Sequence, residues 1–116
     1  MMALHNLSLD NLKETISGTV TNYAHRDRIA KIGLFGSFAR GEATFGSDLD
    51  FIIDFRYKHN NTAPEIIKEV ERQFQFEELL QQAFAPTALS IIIMEALQAG
   101  SDFKKQVEKD VVWLYG

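Results

Sequence analysis

Gly36-Ser37-Phe38-Ala39-Arg40-Gly41-Glu42-Ala43-Thr44-Phe45-Gly46-Ser47-Asp48-Leu49-Asp50 is the stretch around which the rest of the chain is organised. An apolar, β-branched run from Ile29 to Phe35 precedes it and reads as a strand. After it, Asp48-Leu49-Asp50-Phe51-Ile52-Ile53-Asp54-Phe55 alternates strictly and reads as a second strand. That alternation sends Leu49, Phe51, Ile53 and Phe55 to one face and Asp48, Asp50, Ile52 and Asp54 to the other. Two carboxylates therefore stand at the start of a strand, their Cα atoms about 6–7 Å apart.

Such a pair is unfavourable without a cation. Two like charges at about 6 Å repel by roughly 2–3 kcal/mol at an effective dielectric near 20. A divalent ion turns that repulsion into attraction, and hard carboxylate oxygens suit Mg²⁺. Gly36 lets the chain turn sharply off the first strand and lets a phosphate approach the backbone. A short helix beginning at Ser37 would turn amide groups toward an anion, with the hydroxyl as a further donor. Arg40 offers a planar fork suited to phosphate oxygens. Asp54 lies about 13 Å beyond Asp50, too far to share a metal, and reads as a polar strand end or a salt bridge. Two competing nucleotide motifs are excluded: Gly33, Gly36 and Gly41 are wrongly spaced for Gly-x-Gly-x-x-Gly, and no glycine-rich loop ends in Gly-Lys-Ser/Thr.

Gly-Ser, then Ala-Arg-Gly, then Ser-Asp-x-Asp resembles the signature of the DNA polymerase β-like nucleotidyltransferases, and most of all their minimal nucleotidyltransferase (MNT) antitoxin type. Gly36, Ser37, Ala39, Arg40, Gly41, Ser47, Asp48 and Asp50 carry the resemblance. It implies that Asp48 and Asp50 are the catalytic aspartates and hold Mg²⁺. Gly36, Ser37 and Arg40 would hold the triphosphate of ATP, and Ser47 would orient the aspartate turn. It also implies a partner: a HEPN-domain protein, often an RNase toxin, which members of this type neutralise and can modify by transferring AMP from ATP.

The whole chain bounds the reading. Its 116 residues fit one domain, 1–116, and 46% hydrophobic with 24% charged residues is an ordinary globular composition. Nine phenylalanines are many for this size, enough for some to face a partner. A net charge of −4, with twelve scattered Lys and Arg, argues against direct nucleic-acid binding. No cysteine means no disulfide, thiol nucleophile or Cys-bound zinc. No apolar run reaches the length of a membrane span and the N-terminus lacks a signal-peptide form, so a soluble cytoplasmic domain is expected.

Leu9, Leu12, Ile16, Val20 and Tyr23 recur at helical spacing, with Ser8 as cap, and predict a helix from about Leu9 to Ala24. His5 and His25 at its flanks read as surface residues, and Phe38 as a packing residue. Residues 57–62 read as a loop. Thr62 or Asn61 caps the next helix, with Pro64 in its first turn. Ile66, Ile67, Val70, Phe74, Leu79, Leu80 and Phe84 keep helical spacing almost to Ala85, as one helix or as two joined near Gln75. Glu65, Lys68, Glu69, Glu71 and Arg72 read as its solvated face and Phe76 as an exposed aromatic. Pro86 marks the turn into a strand through Ala88–Ile93. Ser101 to Asp110 reads as a helix with Phe103 and Val107 inward. Val111 to Tyr115 reads as a last strand, with Trp113 and Tyr115 in the core or at an interface.

The expected fold is α/β: a small, mixed, twisted sheet with helices packed on one side and the nucleotide site at the open face. This is the minimal core of the nucleotidyltransferase fold. Larger relatives carry a helical second domain that presents the acceptor; here the acceptor is expected from another chain or another copy, in a homodimer or hetero-oligomer. One position departs from the pattern. Aligning Glu95-Ala96-Leu97 with the family puts Ser90 where a third metal-binding acid stands, and a hydroxyl is a poor Mg²⁺ ligand. Glu95 is the acid nearest in sequence. Two functions stay open: a protein-directed adenylyltransferase, towards which the full signature leans, and a nucleotide-binding module that neutralises its partner by contact. A small-molecule nucleotidyltransferase is disfavoured for want of a substrate domain.

Overall fold

The computed structural model describes residues 8–42, 48–58 and 62–116. Helix α1 (Leu9–Asn22) starts where Ser8 accepts a hydrogen bond from the Asn11 amide, and it buries Leu12, Ile16 and Val20. A 3₁₀ turn at Arg26–Arg28 leads into β1 (Ile29–Phe35), and a one-turn helix α2 (Gly36–Ala39) follows it directly. Strand β2 (Leu49–Phe55), helix α3 (Ala63–Phe84), strand β3 (Leu89–Ile93), helix α4 (Asp102–Asp110) and strand β4 (Val112–Tyr115) complete the order.

The sheet runs β3-β2-β1-β4. β1 is antiparallel to both β2 and β4, whereas β2 and β3 are parallel. A parallel pair needs a crossover, and α3 supplies it. The alternation read in β2 is realised: Leu49, Phe51, Ile53 and Phe55 are fully buried in one cluster with residues of α1 and α3. Ile52 joins Phe35 and Val107 on the opposite face. The mixed sheet with α1 and α3 on one side is as expected. α4 adds cover on the other side, the one carrying Asp50.

Several expectations about side chains are corrected. Phe76 is fully buried, its ring 5.0 Å from that of Tyr23, while Ile66, Ile67, Val70 and Phe74 are exposed. α3 is a single helix whose apolar arc is wider than the surface it covers, and its buried line is Glu69, Phe76, Leu80 and Phe84. Glu69 therefore leaves the solvated face: it is buried and takes both Arg28 Nε at 3.1 Å and Arg28 Nη2 at 3.2 Å. The arc turns this way because a buried guanidinium needs a carboxylate partner, and the 3₁₀ turn places Arg28 under α3. Phe103 is half exposed, its ring edge against Phe35, while Val107 is buried. Thr62 precedes α3 without a side-chain capping bond. His5, His59 and Asn61 lie outside the described residues.

Candidate nucleotide site

Gly36 sits where β1 becomes α2, with φ +74°, a conformation that L side chains rarely adopt. A Cβ built there would run into Oδ2 of Asp50. The absence of a side chain thus lets the chain turn against the second aspartate. Pairing of Phe35 with Asp50 across the β1–β2 ladder fixes that juxtaposition. The amides of a first helical turn have no partner within the helix. No side chain caps the start of α2, and its first residue, Gly36, lies against that carboxylate.

Asp50 is half buried and Asp48, just before β2, is exposed. Burial first, then the negative charge of Asp48, pushes the Asp50 carboxyl above its ordinary pKa; Arg40 partly offsets this. The two acids are thus held together at an electrostatic cost that a cation would relieve. Their hard oxygens, beside a backbone open to phosphate, fit one divalent ion shared with a triphosphate. Ser47 lies outside the described residues.

Arg40 is not free in the loop. Its Nη1 donates to Asp110 Oδ2 at 2.9 Å and its Nε to Glu42 Oε2 at 3.1 Å. The guanidinium ties the end of α2 to the C-terminal end of α4, and any phosphate contact of Arg40 would have to share or displace these carboxylates. No local pattern in the sequence pairs Arg40 with Asp110.

Ser90 is the in-register partner of Asp50 on the parallel β2–β3 pair. Partners across a ladder project to the same face, so the hydroxyl stands beside the carboxylate. Among the described residues, no three His, Asp or Glu side chains come together as a metal-binding group. Glu95 is not a substitute: it lines a groove with Tyr57, Ile91 and Ile93, away from the Asp50 face. Phe38 packs against the main core, as a packing residue should. Asp54 is bound to Arg56, Nη2 to Oδ2 at 2.9 Å, and stands apart from the site.

Comparisons with known proteins give this geometry a context. A family model described as "Nucleotidyltransferase domain" matches residues 16–114. The chain is 27% identical, over 108 residues, to the protein adenylyltransferase MntA of Thermococcus cleftensis, covering 93% of this chain and 97% of that one. It superposes on a crystal structure of a toxin–antitoxin with AMP-PNP with a TM-score of 0.62, at 16% identity, over 90% of this chain and 73% of the other. A solved structure described as a minimal nucleotidyltransferase gives a TM-score of 0.56 at 23% identity, over 91% of this chain and 95% of the other. At these identities the two structures speak for the fold.

Proposed function

The chain belongs to the nucleotidyltransferase domain family, and from that premise we propose that it transfers AMP from ATP, with Mg²⁺, to a HEPN-domain toxin partner. The observation that carries the reading is the contact between the Gly36 turn and the Asp50 carboxylate. Support for a protein acceptor comes from the Thermococcus relative, a protein adenylyltransferase aligned over nearly its whole length. Support for ATP and for a toxin partner comes from the toxin–antitoxin structure with AMP-PNP that shares this fold.

In this reading Asp48 and Asp50 hold the metal and the α2 amides with Ser37 hold phosphate oxygens. Ser47 steadies the turn before Asp48, and Arg40 adds a positive charge at the loop. A hydroxyl oxygen of the acceptor bonds to the α-phosphorus, the bond from that phosphorus to the bridging oxygen breaks, and pyrophosphate leaves with the hydroxyl proton released. Bound Mg²⁺ supplies neutralisation of the triphosphate charge as the bond changes. The chain's own residues orient the phosphates in line with the incoming oxygen.

A second reading rests on Ser90. With a hydroxyl where a third carboxylate would help activate the acceptor, the domain would bind nucleotide, turn over slowly, and neutralise its partner by contact. One experiment separates the two. ATP labelled at its α-phosphate is incubated with Mg²⁺, the protein and the purified HEPN-domain partner, beside an Asp48→Asn variant. Label on the partner, absent with the variant, is the expected result. No label, despite a tight complex and intact ATP binding, would leave the contact reading standing.

A further inference from the structure

β3 ends the sheet without protection. No strand among the described residues pairs with its outer side. Edge strands are ordinarily blunted by a charge, a proline or a bulge, and Leu89-Ser90-Ile91-Ile92-Ile93 carries neither charge nor proline. Helix α3 carries a second apolar strip. Ile66, Val70 and Phe74 follow one another four residues apart along α3, and all are exposed, Phe74 by 60%. At the Phe74 end of that strip a groove of about 530 Å³ separates α3 from the strand, lined by Tyr57, Phe74, Ile91 and Ile93.

The groove has one sign of charge. Glu77 and Glu95 line it, and among the described residues no Lys or Arg does. The field registers on Tyr57, whose phenol is held above its ordinary pKa by burial first and then by Glu95, Glu77 and Glu69.

We propose that the β3 edge and this groove receive an extended, basic segment of a partner protein, added to the sheet as a fifth strand. The side chains of this strand that point towards α3 enter the groove: apolar ones lie over Phe74, Ile91 and Ile93, and a Lys or Arg among them meets Glu77 and Glu95. Strand addition satisfies the open N–H and C=O groups of β3, which a docked helix would leave unpaired. A second copy of this chain is disfavoured by charge: the net charge is −4, so the same acidic groove would meet an acidic partner. A strand laid on this edge also passes Ser90, the register partner of Asp50. One of its residues therefore lies beside the nucleotide site. That last consequence rests on the nucleotidyl-transfer reading, whereas the docking does not.

The test uses the whole chain and three capped synthetic peptides with Thr at every second position: one whose remaining residues alternate Lys and Val, one whose remaining residues alternate Glu and Val, and a shuffled version of the first with Lys and Val in blocks. Binding is measured by calorimetry, with an ATP–Mg²⁺ titration run alongside. The alternating Lys peptide is expected to bind at least about tenfold more tightly than the other two. In a Glu77→Lys, Glu95→Lys variant the preference should reverse towards the Glu peptide, with ATP binding unchanged. Equal binding of the three peptides, indifference to the double substitution, or no binding would overturn the proposal. So would self-association that the double substitution abolishes, which would seat a second copy on the groove. Peptide binding as expected beside absent ATP binding would uphold the docking surface and strike the nucleotidyl-transfer reading alone.

Discussion

A methyl group at position 36 would meet the Asp50 carboxylate in a backbone conformation that L residues avoid. Gly36→Ala therefore carries a backbone penalty of about 1–2 kcal/mol and also displaces the second aspartate. The expected outcome is a folded protein, less stable by that amount in urea, which no longer binds ATP in a metal-dependent way by calorimetry. Undiminished binding would take Asp50 out of the nucleotide site. Ser90, facing Asp50 across the ladder, gives the converse experiment. Ser90→Asp restores a third acid at that end of the sheet, and its labelled-AMP transfer rate should exceed that of the unsubstituted chain; an equal or lower rate would deny the position that role. The need for glycine at 36 was legible from the sequence because a turn off a strand demands it. Which side chain it accommodates was not, since that depends on the β1–β2 register.

At the scale of elements, existence and limits were the legible part. Strand β1 runs from Ile29 to Phe35 as its apolar run implies, and α1 opens at the predicted Ser8 cap. Orientation was harder. α3 carries more apolar residues than it can bury, so periodicity alone leaves two ways to face the core. The choice between them is made by contacts distant in sequence, Glu69 with Arg28 and Phe76 with Tyr23. Two truncations measure the result. Phe76→Ala should cost about 3–5 kcal/mol as a large buried side chain, and Phe74→Ala should stay within about 0.5 kcal/mol, both read from urea midpoints. Similar costs for the two would reverse the orientation of α3.

Glu69 works on the whole molecule. Its Oε1 takes the Lys58 amide at 2.7 Å, and its Oε2 takes Arg72 Nη1 at 2.6 Å, in addition to the Arg28 fork. One carboxylate thus joins the 3₁₀ turn before β1, the segment after β2 and helix α3. Burial alone would push its pKa up, but hydrogen bonds from Arg28, Lys58 and Arg72 outweigh this and hold it at about 2. The folded value lies below the unfolded one of about 4.3. The stabilisation is therefore fully present above that unfolded value and is lost as pH falls through about 2. Glu69→Gln should lower stability at neutral pH by about 3 kcal/mol, because it removes the buried counter-charge of the Arg28 guanidinium and leaves it the exposed Asp27. It should also flatten the fall in stability across the acid window, measured by denaturant unfolding over a pH series. An unaltered acid profile would mean that another group governs the loss.

The strand order holds one more consequence. β1 lies between β2, which follows it closely in sequence, and β4, which comes from the far end of the described chain. During synthesis β1 can zip against β2 early, while its other edge waits for a strand made much later. Closing so long a loop is entropically expensive and slow relative to local pairing. A growing chain therefore passes through an interval with Ile32 and Leu34 presented along an open edge, and that interval is when it has most to gain from a chaperone.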